Sequence, residues 1–191
     1  MGTAEVVLAQ SPTANLRRFP GCDVAPGILS QGTTLLTVTE FARNVQRISQ
    51  DPAVAAAFDA IVDGNQEADA FLHSEAFIPG GPGGVRPRYA SDAPAAPLSR
   101  ASAVAGALAR AGAAAIESVA SKMPAGAPIY VAGGWARSRG WIDIEKTFIS
   151  ADVHIIPEPE VTAVGAALLA AQAIKWDVPA GMALSSPAGI P

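Results

Sequence analysis

The residues best suited to chemistry stand together in one stretch, Ile129 to Trp141, which reads IYVAGGWARSRGW. Gly133 and Gly134 follow a short apolar run, Ile129 to Ala132, and precede a segment with helical character that begins near Trp135 to Arg139. The first N–H groups of a helix have no partner inside it, and they carry partial positive charge. Two bare glycines at such a corner let a phosphate, a base edge or ribose oxygens come up against the main chain. Ser138 stands a few residues into the turn, with a hydroxyl able to bond a base. A glycine pair also serves in many α/β proteins only to make the bend, and at this point both readings stand.

Gly165, inside AVGAALLAA, is a second signal. A glycine in a helix interior costs roughly 1 kcal/mol against alanine. A close approach to that helix accounts for the loss, whether by tight packing on a sheet, by backing of the glycine corner, or by both.

The remaining pattern describes the elements that must hold these groups. GILSQGTTLLTVTEF, from Gly27, predicts two strands joined by a tight turn at Gly32. Asp51-Pro52 reads as an N-cap with proline at the first helical position, and Val54, Phe58, Ile61 and Val62 then share one face up to Gly64. An apolar stretch, Phe71 to Pro79, leads into a long glycine- and proline-rich loop of the functional or mobile kind. Ser99 is expected to cap an alanine-rich helix to about Lys122, with Val104, Leu108, Ala111, Ala115 and Val119 as its buried stripe. Trp141 to about Ser150 predicts an amphipathic helix, Val153 to Ile156 a strand, and Glu160 to Trp176 a last helix. The expected organisation is a tail or partial strand over residues 1–20, one domain over residues 21–176, and a tail over residues 177–191.

Composition narrows the function classes. The chain has 191 residues, half of them hydrophobic, and a net charge of −4, which argues against nucleic acid or an anionic membrane as the main partner. No apolar run approaches the ~20 residues of a membrane span. The single cysteine, Cys22, fits a reducing cytosol. His73 and His154 lie far apart with no partners at ligand spacing, so no zinc site is expected. Arg86 and Arg88 suit either a phosphate contact or a solvated loop, and Glu158 and Glu160 complement the dipole of the helix they precede.

GGWARSRGWIDIEKTFISADVHIIPEPEVTAVGAALLAAQA resembles the C-terminal domain of the FGGY carbohydrate kinases. The matching elements are Gly133-Gly134, Ser138, Pro157, Glu160-Val161-Thr162-Ala163 and Gly165-Ala166-Ala167. Ser30-Gln31-Gly32-Thr33-Thr34 is similar to the turn that opens the family's second domain. Phe77-Ile78-Pro79, Gly83 and Arg86-Pro87 resemble another family segment, with Val85 in place of its glutamate. The resemblance implies an actin-like, ribonuclease-H-like α/β fold, a mixed sheet flanked by helices, forming one half of a two-domain kinase that uses ATP and Mg2+ on a sugar or polyol. It implies that Gly133, Gly134, Trp135 and Ser138 line the adenine side and that Gly32 and Thr33 face the phosphates. Asp23 is the one candidate for the general base. The family's Asp-x-Gly-Thr phosphate signature is absent from this sequence. Mg2+ and the sugar are therefore expected to be held mainly by an N-terminal domain, without which the chain is inactive. The alternative is a stand-alone nucleotide-binding or dimerising module, and an apolar face left by the missing half would favour homo-oligomers.

Overall fold

The computed structural model describes residues 4–13, 16–18, 20–27, 32–81, 84–158 and 160–176. Ser30, Gln31 and Gly83 of the matched motifs, and the expected tail at 177–191, lie outside the described residues. The chain divides into two compact units, Met1–Ile156 and Pro157–Pro191.

In the first unit, β1 (Ala4–Ser11), β2 (Asp23–Pro26) and β3 (Thr33–Glu40) form an antiparallel sheet in the order β1-β3-β2. The segment expected to be a tail or partial strand thus supplies a full edge strand. Period-two alternation explains it. Val7 and Ala9 turn inward with Val24 and pack around Leu35, Cys22 and Val119, whereas Val6, Leu8 and Val38 are exposed on the other face. A hairpin joins β2 to β3 and closes at the Pro26–Thr33 pair, while the first strand expected between Gly27 and Gly32 falls mostly on residues 28–31, outside the described residues.

Two helices follow, α1 (Ala42–Ile48) and α2 (Pro52–Val62). The Asp51 carboxylate accepts hydrogen bonds from the N–H groups of Ala53 and Val54, at 3.1 and 3.4 Å, and fixes the start of α2. The glycine–proline segment is not all loop: its Arg88–Tyr89 forms β5, which pairs in register with β4 (Phe77–Ile78). Buried Asn44 ties it down, accepting from Gly80 N–H at 2.8 Å and donating to the Glu40 carbonyl at 2.7 Å.

The helix α3 (Pro97–Ala120) starts at Pro97, not at Ser99. The Ser99 hydroxyl donates to Asp69 at 2.6 Å instead of capping. Its burial is also wider than one stripe: every residue from Ala101 to Ala109 is buried. Small side chains permit this, since they let neighbours approach from all sides. A Cβ at Gly106 would overlap the Leu72 carbonyl. With 24 residues, one 18-residue stretch of which has a mean hydropathy of 1.3, α3 is long and apolar enough to cross a membrane, although no such stretch was expected. Enclosure of its first half in the core accounts for that composition.

A third sheet pairs β6 (Ile129–Val131) with β7 (Val153–Ile155) in parallel, joined through α4 (Arg139–Phe148). The described strands form separate antiparallel and parallel sheets in place of the single mixed sheet expected. The second unit contains α5 (Val161–Ala173), apolar around its circumference. Within that unit, a Cβ at Gly165 would meet nothing within 4 Å, so the close approach expected there is not made inside the unit.

Candidate functional site

The site is built on the βαβ unit β6–α4–β7. The chain leaves β6 at Val131 and reaches Gly133, whose φ of +98° suits glycine and strains any other residue. Gly134 then has ordinary helical dihedrals, φ −62° and ψ −46°. A 3₁₀ turn, Trp135–Arg137, follows, and α4 begins only at Arg139. The helix expected to start near Trp135 is therefore a turn plus a helix. The glycine pair presents main chain of the turn, and Ser138 takes the N-cap position of α4 without a side-chain bond to it.

Two close contacts hold the corner. A Cβ at Gly140 would overlap the Ile61 carbonyl oxygen, so the first turn of α4 lies directly on the end of α2. The Trp135 ring meets Trp141 at 4.8 Å, Phe41 at 5.2 Å and Phe58 at 6.2 Å between centroids, all edge-on. Such edge-to-face pairs add to the burial of the rings. Its indole Nε1 is buried without a hydrogen-bond partner. Trp135 therefore spends its ring on the core, and what it offers a ligand is main chain. The glycines are the reverse. A Cβ added at Gly133 or at Gly134 would meet nothing within 4 Å. Positive φ explains Gly133, but neither conformation nor crowding among the described residues calls for glycine at position 134.

The other expected site residues lie on the antiparallel sheet. Thr33 is 2% exposed, and its hydroxyl donates to the Thr13 carbonyl at 2.8 Å while accepting from Leu16 N–H at 3.3 Å. Gly32 has φ +123°, and a Cβ there would overlap the Ser11 carbonyl oxygen. Asp23, on edge strand β2, is gripped by Arg18 at 2.7 Å in an ion pair whose side chains are 79% and 69% exposed. Gly133, Gly134, Trp135 and Ser138 thus form one contiguous corner. Gly32, Thr33 and Asp23 belong to a different sheet.

A cleft of about 730 Å³ lies elsewhere, lined by Phe71, Phe77, Pro79, Asp92 and Arg110 among others, and no corner residue borders it. The Arg110 guanidinium is committed to the carbonyls of Leu72 and Ser74, at 3.0 and 2.5 Å. Sequence reasoning missed this arginine, the aromatic cluster and the buried carboxyl of Glu145. Each depends on contacts between distant segments. Among the described residues, no group of three His, Cys, Asp or Glu side chains is placed to hold a metal ion.

No family model and no curated protein matches the sequence. Solved structures do match. Over 93% of its length the chain follows xylulose kinase from Rhodospirillum rubrum, with a TM-score of 0.69 and 17% identity. It follows Plasmodium falciparum glycerol kinase, solved with ADP, over 93% with a TM-score of 0.68 and 15% identity. It spans only 38% of each of those chains. At such identities the likeness is one of fold: this chain is folded like the C-terminal portion of FGGY carbohydrate kinases.

Proposed function

We propose that the chain is the nucleotide-binding C-terminal part of an actin-like carbohydrate kinase, which carries the γ-phosphate of ATP to a hydroxyl of a sugar or polyol. The observation that carries this reading is the bare, open main chain at Gly134. Glycine there forgoes the stability of alanine at a position whose dihedrals suit any residue. A flat ring laid against the turn supplies the missing reason. In this reading Gly133, Gly134 and the main chain of Trp135 border the purine, with the Ser138 hydroxyl within reach of its edge. The fold shared with a glycerol kinase solved with ADP supports it.

Phosphoryl transfer is mainly positioning and charge stabilisation. This chain supplies positioning of the nucleoside. The donor set for Mg2+ does not converge among its described residues, so no step is assigned to the ion here, and the ion and the sugar fall to an N-terminal part. Gly32 and Thr33 take the phosphate role only through main chain, because the Thr33 hydroxyl is engaged. The resemblance gives Asp23 the role of base. Its exposed pair with Arg18 supports that role poorly, and Asp23→Asn in a reconstituted kinase tests it.

Calorimetry with ADP is the decisive experiment. The wild-type chain binds ADP, and Gly134→Val weakens binding at least about tenfold with an unchanged melting temperature, since a tenfold change needs only about 1.4 kcal/mol. No binding by the folded wild type sinks the reading. Sugar phosphorylation is expected only when an N-terminal part is supplied. Nucleotide binding with no phosphorylation under any complementation favours the stand-alone module, a reading that the exposed apolar face of Val6, Leu8 and Val38 keeps in play.

A further inference from the structure

Glu5 and Glu145 are acidic side chains that neither the ion pairs nor the candidate site uses. Glu5 lies on edge strand β1 opposite Thr39 of β3. Its carboxylate rests on a bare patch of α3, where a Cβ at Gly112 would stand 2.5 Å from Oε2 and 2.8 Å from Oε1. Oε2 is buried and has no hydrogen-bond partner. Glu145, on the inner face of α4, is 6% exposed and takes a hydrogen bond from the Trp141 side chain.

The surroundings do not neutralise the pair. On α3, Arg110 is committed to two carbonyls and Glu117 is itself acidic. On α4, Asp143 pairs with Arg139, and Lys146 is exposed. On β3, Glu40 pairs with Arg43. Burial raises the Glu5 carboxyl to about 7, with the charge of Glu145 adding to the rise. Burial likewise raises Glu145 to about 7, against the lowering effect of the Trp141 bond.

We infer that the Glu5–Glu145 pair retains a proton in the folded chain near neutral pH, and that its loss loosens β1 from α3, making the strand's attachment a pH-sensitive clasp. With both carboxyls ionised, Oε2 of Glu5 would be a buried charge with no donor, facing a second anion. Neighbours this close titrate as a pair, not as two independent groups. The sign follows from linkage. Both groups rise from 4.5 to about 7 on folding, so across that window the folded chain binds more protons than the unfolded one. Stability therefore falls as pH rises from about 4.5 to about 7, and the full penalty applies above it.

The test compares wild type with Glu5→Gln and Glu145→Gln by thermal melts and amide hydrogen exchange between about pH 5 and 8, the range over which the linkage acts. In the wild type, opening of β1, corrected for intrinsic exchange, is expected to grow by about tenfold per pH unit below 7 for one proton released and up to about a hundredfold if both carboxyls release theirs. Both variants flatten that dependence and gain on the wild type at the alkaline end. Parallel profiles for all three chains, or variants that lose as much at the acidic end as at the alkaline end, would overturn the clasp. Should Glu145→Gln fail to fold, Glu5→Gln carries the comparison. The infrared band of a protonated carboxyl near pH 6 then gives a direct reading: present in the wild type and diminished in Glu5→Gln if the inference holds, equal in both if it does not.

Discussion

Around Gly32 the chain closes on itself, and around Gly133 it stays open. At the first turn, the Ser11 carbonyl occupies the space a side chain would need, and the Thr33 hydroxyl donates to one neighbouring main-chain group and accepts from another. At the second, Gly133 and Gly134 face empty space while Trp135, the next residue, is sunk into an aromatic cluster. The difference teaches what glycine is for in each place. In the antiparallel sheet it lets the chain touch itself. In the βαβ unit no described residue fills the space beside it, as the proposed nucleotide site requires.

Substitutions sharpen this contrast. The largest effect is expected at Trp135, where the open corner is moored to the core. Trp135→Ala should cost about 3–5 kcal/mol in denaturant melts. Trp135→Phe should stay within about 1.5 kcal/mol, because it keeps the ring and removes an unbonded indole N–H. Equal losses for the two would mean that the indole nitrogen, not the packing, holds the corner. Gly32→Ala comes next, at roughly 2–4 kcal/mol, since it combines positive φ with backbone overlap. Thr33→Val should cost about 1–3 kcal/mol by leaving Leu16 N–H without its acceptor. If the contrast is right, Thr33→Val, which removes only a hydroxyl already engaged by the chain, leaves ADP affinity per folded molecule within about twofold, well under the tenfold that 1.4 kcal/mol represents. The smallest stability effect belongs to Gly134→Ala, expected to be neutral or stabilising by up to about 1 kcal/mol. A large loss there would show that the open corner is needed by the fold, and the contrast would fail.

Much of the local structure was legible. The Asp51 cap, the face of Val54, Phe58 and Ile61, the strand after Gly32 and the strand–glycine–strand unit from Ile129 to Ile155 follow from short-range chemistry. The edge strand at Ala4–Ser11 was underestimated, because an isolated eight-residue alternation is persuasive only once a partner strand is known. Ser99 was misassigned as a cap for a similar reason. Serine suits both a cap and a long-range bond, and only the nearness of Asp69 decides between them. For the candidate site, the glycine pair and Ser138 could be read directly. The side of the turn that Trp135 occupies could not, since an aromatic after two glycines suits a ligand wall as well as a core.

The sequence by itself determined where the backbone turns, where helices begin in solvent, and which corner carries no side chains. These depend on φ preferences, capping groups and periodicity within a few residues. Only the tertiary structure decided which of the two glycine turns is filled, where the Trp135 ring goes, and that the Glu5 carboxylate is buried against Gly112 of α3. Those outcomes depend on contacts between segments separated by many residues, and their energies come from space and dielectric that no local pattern records.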